Sequence, residues 1–170
     1  VDEGTGLVRA GAVVSADGQL TSVDPAIHAA AQGAYLAACT ELARRDDHSR
    51  WGDRAIAIVD AVQQRFANGH GSLPGAGGGD GGLQAGVLAR YLADAGVQRS
   101  ELTAAVRRLV LGCAEQAWLG RLESVGGPVF SVDWAIPAAR PGKHVPEADL
   151  SVQLAGWMLM EAAARLQRSA

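Results

Sequence analysis

The sequence predicts an all-α fold, one half of an (α/α)6 toroid built from inner and outer helix hairpins, with a short β-hairpin in front. Three observations carry this. Segments opening near residues 25, 81 and 147 have helical length and almost no polar face, the pattern of helices buried on all sides. Between them, residues 50–67 and 101–119 carry one apolar stripe and one polar face, as outer helices do. The inner segments recur about every sixty residues, a spacing of repeated helix hairpins rather than of a closed four-helix bundle.

The 170 residues form one domain, with residues 1–24 as the hairpin region and 25–170 as helical repeats. A net charge of −3 without a basic cluster argues against nucleic acid or an anionic membrane as partner. Cys39 and Cys113 fall within helical patterns and read as reduced packing thiols. No run of eighteen apolar residues is present to span a membrane, and no signal peptide is visible, so the compartment stays open. The chain opens at Val1 on what reads as mid-domain sequence, as expected of a processed chain or a piece of something longer.

In order, residues 7–23 read as a β-hairpin turned by Asp17-Gly18. Asp24-Pro25 reads as an N-cap followed by proline in the first turn, opening an inner helix to Arg45. A polar turn, Asp46-Asp47-His48-Ser49, leads to the outer helix Arg50–Ala67, striped by Trp51, Ala55, Ile56, Val59, Val62 and Phe66. The second inner helix spans Gly81–Ala95 and is stopped by Gly96; Ser100 caps the outer helix that runs from Glu101 to Leu119. A long loop, 120–146, holds Asp133, Trp134 and four prolines, and Glu147–Gln167 forms the last inner helix.

The glycine-dense stretch from Gly71 to Tyr91 admits two chemical readings. Gly77, Gly79 and Gly82 satisfy G-x-G-x-x-G, but the segment before them is helical and no Gly-Lys-Ser/Thr follows. A phosphate cradle needs a strand in that place. The remaining reading is a loop that lets the backbone approach a ligand closely. With the inner helices parallel, all long connections enter their N-terminal ends, so the glycine loop and the 120–146 loop share one rim. A closed ring needs about twice this many inner helices. The open edge calls for a missing N-terminal half or a homodimer partner to cover it.

The stretches GGGDGGLQAGVLARYLA, AAQGAYLAACTELARR and DLSVQLAGWMLMEAAAR resemble the C-terminal half of glycoside hydrolase family 76, the α-1,6-mannanase-like enzymes. The resemblance runs from near Leu7 to the last helix. It rests on the helix-opening Gly-Asp-Gly-Gly-Leu, the Gln32-Gly33 pair and Gln153-Leu-Ala-Gly-Trp157. It implies an endo-acting, retaining, metal-independent hydrolase of α-1,6-linked mannose, with carbohydrate as partner and no cofactor. It also implies that the catalytic pair, two adjacent aspartates, lies N-terminal to this stretch, leaving no catalytic residue in the chain. The one Asp-Asp here, Asp46-Asp47, sits in a short turn at the other end of the inner helices and reads as solvated. Where the family commonly has Tyr-Asn-Gln-Gly, this chain has Ala30-Ala31-Gln32-Gly33.

The candidate substrate-binding residues are Asp80, Gln32, Gln84, Gln153 and Trp134. Asp80 stands at an inner-helix N-terminus, where it caps the helix or caps it and meets a sugar. The three glutamines are polar groups on apolar helices; a buried amide needs partners, either a neighbouring helix or hydroxyl-rich sugar. Trp134 offers a ring for stacking or for packing. Arg90 suits a buried pairing with Asp133 or Asp149. His28, His48, His70 and His144 lack metal-ligand spacing. Two readings from other classes stay open: a non-catalytic helical module binding glycan or protein, and part of another toroid enzyme such as a sugar epimerase.

Overall fold

The computed structural model describes residues 1–46, 50–66, 73, 77–140, 142 and 145–169. Strands β1 (Gly11–Val14) and β2 (Leu20–Asp24) pair antiparallel, and Gly18 takes φ 83° in the turn that the Asp17-Gly18 dipeptide signals. Every residue of both strands is exposed. Helices α1 (Ala29–Arg45), α2 (Arg50–Arg65), a four-residue α3 (Gly79–Gly82), α4 (Gln84–Gln98), α5 (Ser100–Leu119) and α6 (Leu150–Arg168) follow. This is the predicted all-α half-toroid: α1, α4 and α6 are the inner helices, α2 and α5 the outer ones.

The inner helices lie side by side in the order α1, α4, α6. Two glycines allow it. A Cβ on Gly33 would stand 3.2 Å from the Leu88 backbone, and one on Gly86 would stand 2.6 Å from that of Ala155. Their absence lets neighbouring backbones touch, and Leu36, Leu88, Leu92 and Leu159 fill the space behind the crossings. Outer-helix residues Ile58, Val59 and Val106 close the core, with Cys39 and Cys113 buried in it as free thiols.

Several boundaries differ from expectation, each for a physical reason. Helix α1 begins at Ala29, not Pro25. Asp24 ends β2, and its carboxylate accepts the Ala26 N–H at 2.9 Å in a local turn. His28, in the N-cap position, supplies no side-chain cap; a free N–H of the first turn, that of Ala30, is met by Gln84 Oε1 at 2.9 Å. Gly96 lies inside α4, where a Cβ would stand 2.9 Å from Val106, so it serves packing rather than termination. Arg99, extended at φ −132°, separates α4 from α5, and Ser100 is already helical.

The long loop contains a second hairpin, β3 (Leu122–Ser124) with β4 (Gly127–Val129), turned at Val125-Gly126, with Gly127 at φ 115° where β4 begins. Its strands are too short for an alternating pattern, and Pro128 sits in one of them. A single 3-10 turn, Pro146–Ala148, precedes α6 and takes up the start expected for that helix. The chain also leaves apolar residues uncovered. Leu150 and Leu154 are 80% and 46% exposed, and Ile56 and Trp118 stand open on the outer helices. An all-apolar helix does not reveal from sequence which of its faces the chain covers.

Candidate functional site

The inner helices are parallel and their first turns meet at one rim. There Gln84 reaches Ala30 of α1, and a Cβ on Gly82 would collide with Ser151 at the start of α6. The rim carries the glycine turn, the 3-10 turn and the entry from the first hairpin.

Two of the three glutamines, Gln32 and Gln153, form one repeated device. Gln32 is fully buried: its Oε1 accepts the Val8 N–H at 2.7 Å, while its Nε2 donates to Val8 O at 2.8 Å and His28 O at 2.9 Å. Gln153 does the same for the loop before α6. Its Oε1 accepts the Phe130 N–H at 2.8 Å, and its Nε2 donates to the carbonyls of Phe130 and Glu147, both at 3.0 Å. Each carboxamide thus pairs with both polar groups of an extended residue as a strand neighbour would, and pins the incoming segment to its helix. Gln84 joins α4 to α1. These amides satisfy protein backbone, the neighbour-bonding alternative the sequence left open.

The capping role expected of Asp80 falls to Asp149. One Asp149 oxygen accepts the Ser151 hydroxyl at 2.7 Å and the Ser151 N–H at 2.9 Å, and the other accepts the Gly79 N–H at 2.9 Å. One carboxylate therefore holds the starts of both α3 and α6. The Ser151 hydroxyl first, then the Gly79 and Ser151 amides, hold its pKa below the usual carboxylate value. Asp80 is exposed in the single turn of α3, whose N-cap, Gly78, makes no side-chain bond. Its exposed carboxylate stands among Gly78, Gly79, Gly81 and Gly82.

Trp134 is 2% exposed and packs in the core, with Asp133 closing the turn beneath it by accepting the Ala135 N–H at 2.9 Å. Neither Asp133 nor Asp149 is bonded to Arg90, whose guanidinium lies 6.0 Å from the Tyr91 ring centre. The sequence reading passed over two rim-side groups. Trp157 is 50% exposed and meets Phe130 edge-to-face at 5.6 Å; its spacing marked it as core. Glu147 is buried in the 3-10 turn, 3.5 Å from the Ser131 hydroxyl, and no local pattern announces it.

A groove of about 800 Å³ runs between residues 1–9 and the first hairpin, lined by Asp2, Glu3, Arg9, Leu20 and Val23. Arg9 pairs there with Asp2, whose pKa is lowered to about 2, mainly by the Thr5 hydroxyl and then by Arg9. Asp46 caps the far end of α1 and accepts the Trp51 indole N–H at 3.3 Å, so the Asp-Asp pair starts opposite the rim. Asp47, His48, Ser49, Ala67, His70, Gly71, Ser72, residues 74–76 and His144 lie outside the described residues. Among the described residues, no three His, Cys, Asp or Glu side chains are grouped to hold a metal, and no helix is long and apolar enough to cross a membrane.

No family model and no curated protein sequence matches the chain. Solved structures do. The GH76A α-1,6-mannanase from Salegentibacter sp. HEL1_6 superposes with a TM-score of 0.80 at 30% identity, over 98% of this chain and 48% of that one. An inactive variant of that enzyme, with two aspartates replaced by alanine, was solved with α-1,6-mannotetrose and matches at 28% identity with the same coverage. The Lin0763 protein of Listeria innocua superposes at 0.79 with 23% identity over 45% of its length, a likeness of fold alone. The chain therefore spans about half the length of the structures it matches.

Proposed function

Because the chain has the fold of the glycoside hydrolase family 76 α-1,6-mannanases over the half of them that it spans, we propose that it builds part of the sugar-binding wall of a mannanase-like glycoside hydrolase. The observation that carries this is the superposition over 98% of the chain on an enzyme whose inactive variants bind α-1,6-mannooligosaccharides. Asp80 is the direct contact: an exposed carboxylate accepts sugar hydroxyls, and the glycines around it let a ring approach the backbone. Gln32, Gln84 and Gln153 hold the rim segments in place, and Trp134 supports the loop from below.

Hydrolysis of a glycoside needs two carboxyl groups flanking the bond. The neighbour is inactive when two adjacent aspartates are replaced, and the adjacent pair here begins at the far end of α1. The acid and nucleophile therefore come from polypeptide outside these 170 residues, and the remaining wall from that polypeptide or from a second copy. The position of Asp46 also favours one alternative, a glycan-binding module without turnover. Titration of the chain with α-1,6-mannotetraose tests the sugar reading, and reducing-end release from α-1,6-mannan separates the alternatives. Turnover by the isolated chain would sink the assignment of catalysis elsewhere.

A further inference from the structure

We infer that a notch between α4 and α6, on the face turned away from the outer helices, is a second carbohydrate site that takes one neutral sugar residue. The choice of sugar rests on the carbohydrate reading above; the site itself is separate from the rim.

The notch has a volume of about 340 Å³, at the small end of ligand sites. Every group that lines it belongs to α4 or α6, and these helices touch directly at Gly86 and Ala155. The notch is therefore built whole within the chain and needs no other polypeptide to form. On each helix its charged residues recur four apart, Arg90 with Asp94 and Glu161 with Arg165, opposite the buried Leu92 and Leu159.

These charges are not equally spent. Arg165 pairs with Asp94, and Glu161 pairs with Arg168. Arg90 has no carboxylate partner among the described residues; its guanidinium lies 6.0 Å from the Tyr91 ring centre. Asp94 Oδ1 is closed off from solvent, and although Arg165 neutralises it, no donor points at it along a hydrogen bond. The notch thus offers unused donors and an oxygen short of one, over a floor of Ala93, Met158 and Ala162.

That combination selects the ligand. A carboxylate or phosphate would suit Arg90 but face Asp94 and Glu161. An ammonium would face Arg90 and Arg165, and both carboxylates are already paired, so a zwitterion gains at one end alone. A neutral sugar meets every demand: neighbouring hydroxyls accept from Arg90 and donate to Asp94, and the C–H face of the ring lies on the methionine and alanines. Arg90 stands roughly 15 Å along the helix axis from Asp80, so no single sugar ring reaches both.

The chain has two methionines, Met158 in the notch and Met160 packed against the core, which supply a reporter and its control. The test is nuclear magnetic resonance of the full chain, isotope-labelled at the methionine methyls and assigned with Met160→Leu. Methyl α-mannopyranoside is added to about 50 mM, where even a millimolar site saturates. We expect the Met158 signal to shift saturably while Met160 stays in place. Arg90→Ala, with helicity kept, should weaken that binding at least tenfold, and Glu115→Gln on the exposed face of α5 should leave it unchanged. No shift at Met158, an equal response in Arg90→Ala, or a response to sodium phosphate or glycine at lower concentration than to the mannoside would overturn the inference. Mannotetraose affinity keeps the two proposals apart. Binding lost in Asp80→Ala with Met158 silent leaves the rim standing and removes the notch, while a Met158 shift with tetraose affinity indifferent to Asp80→Ala does the reverse.

Discussion

Replacing Gln153 by leucine removes a side chain of similar volume and, with it, the clasp that seats the loop before α6. Three hydrogen bonds go: the Phe130 N–H loses its acceptor at 2.8 Å, and the Phe130 and Glu147 carbonyls lose donors at 3.0 Å. Phe130 and Glu147 are both buried, so water replaces these partners poorly. An orphaned buried polar group costs about 1–3 kcal/mol, and the added apolar contact of leucine offsets part of it. The net loss should be about 3 kcal/mol, a large share of the roughly 5–15 kcal/mol of a typical domain. For a chain of this size that lowers the melting temperature by about 6–12 °C. Urea unfolding, at one protein concentration so that association does not confound the midpoint, measures it directly. The Phe130 ring fills the notch at Gly156 and meets Trp157, so near-ultraviolet circular dichroism should change as well. A loss below about 1 kcal/mol would mean the loop is held by its apolar contacts alone, and the clasp reasoning would fail.

Gly86→Val should leave little folded protein, because a Cβ there meets the Ala155 backbone at 2.6 Å and backbone cannot step aside; soluble yield and helicity report it. Trp134→Ala should cost about 3–5 kcal/mol in urea unfolding as a cavity in the core, with no selective loss of sugar affinity once folded. Asp149 has a folded pKa below its unfolded value, so its contribution is present above the unfolded value and lost as pH falls through the folded one. Asp149→Asn should therefore flatten the acid limb of stability against pH below about 4, seen by unfolding at pH 3 and 6. Asp80→Ala should change stability by no more than about 0.5 kcal/mol, since the residue is exposed and the cap at Gly78 does not use its side chain.

The elements legible in the sequence are those whose causes are local. Asp17-Gly18 makes its own turn, and the stripe of Val59 and Val62 declares a covered face whatever surrounds it. Where a cause is tertiary, local signals mislead. Asp24-Pro25 has the form of a helix start, yet α1 opens at Ala29, where Gln84 from the next helix meets a free N–H. Asp80 stands where a cap belongs, yet the bond to Gly79 comes from Asp149, seventy residues on. Gly96 has the form of a stop and is a contact with Val106. The glutamines were legible as polar groups that need partners, and only coordinates could say that the partners are Val8, Ala30 and Phe130. Trp134 and Trp157 show the limit most plainly. Both are apolar in apolar surroundings, and one is core while the other faces out because the chain covers one side of α6 and not the other.

The most direct test of the carbohydrate reading is isothermal titration of the full chain with α-1,6-mannotetraose, beside its Asp80→Ala variant. Saturable binding by the parent, weakened at least tenfold in the variant and unaccompanied by hydrolysis, is the expected result. Equal affinity in both proteins, or no heat at millimolar sugar, would contradict a sugar-binding rim centred on Asp80.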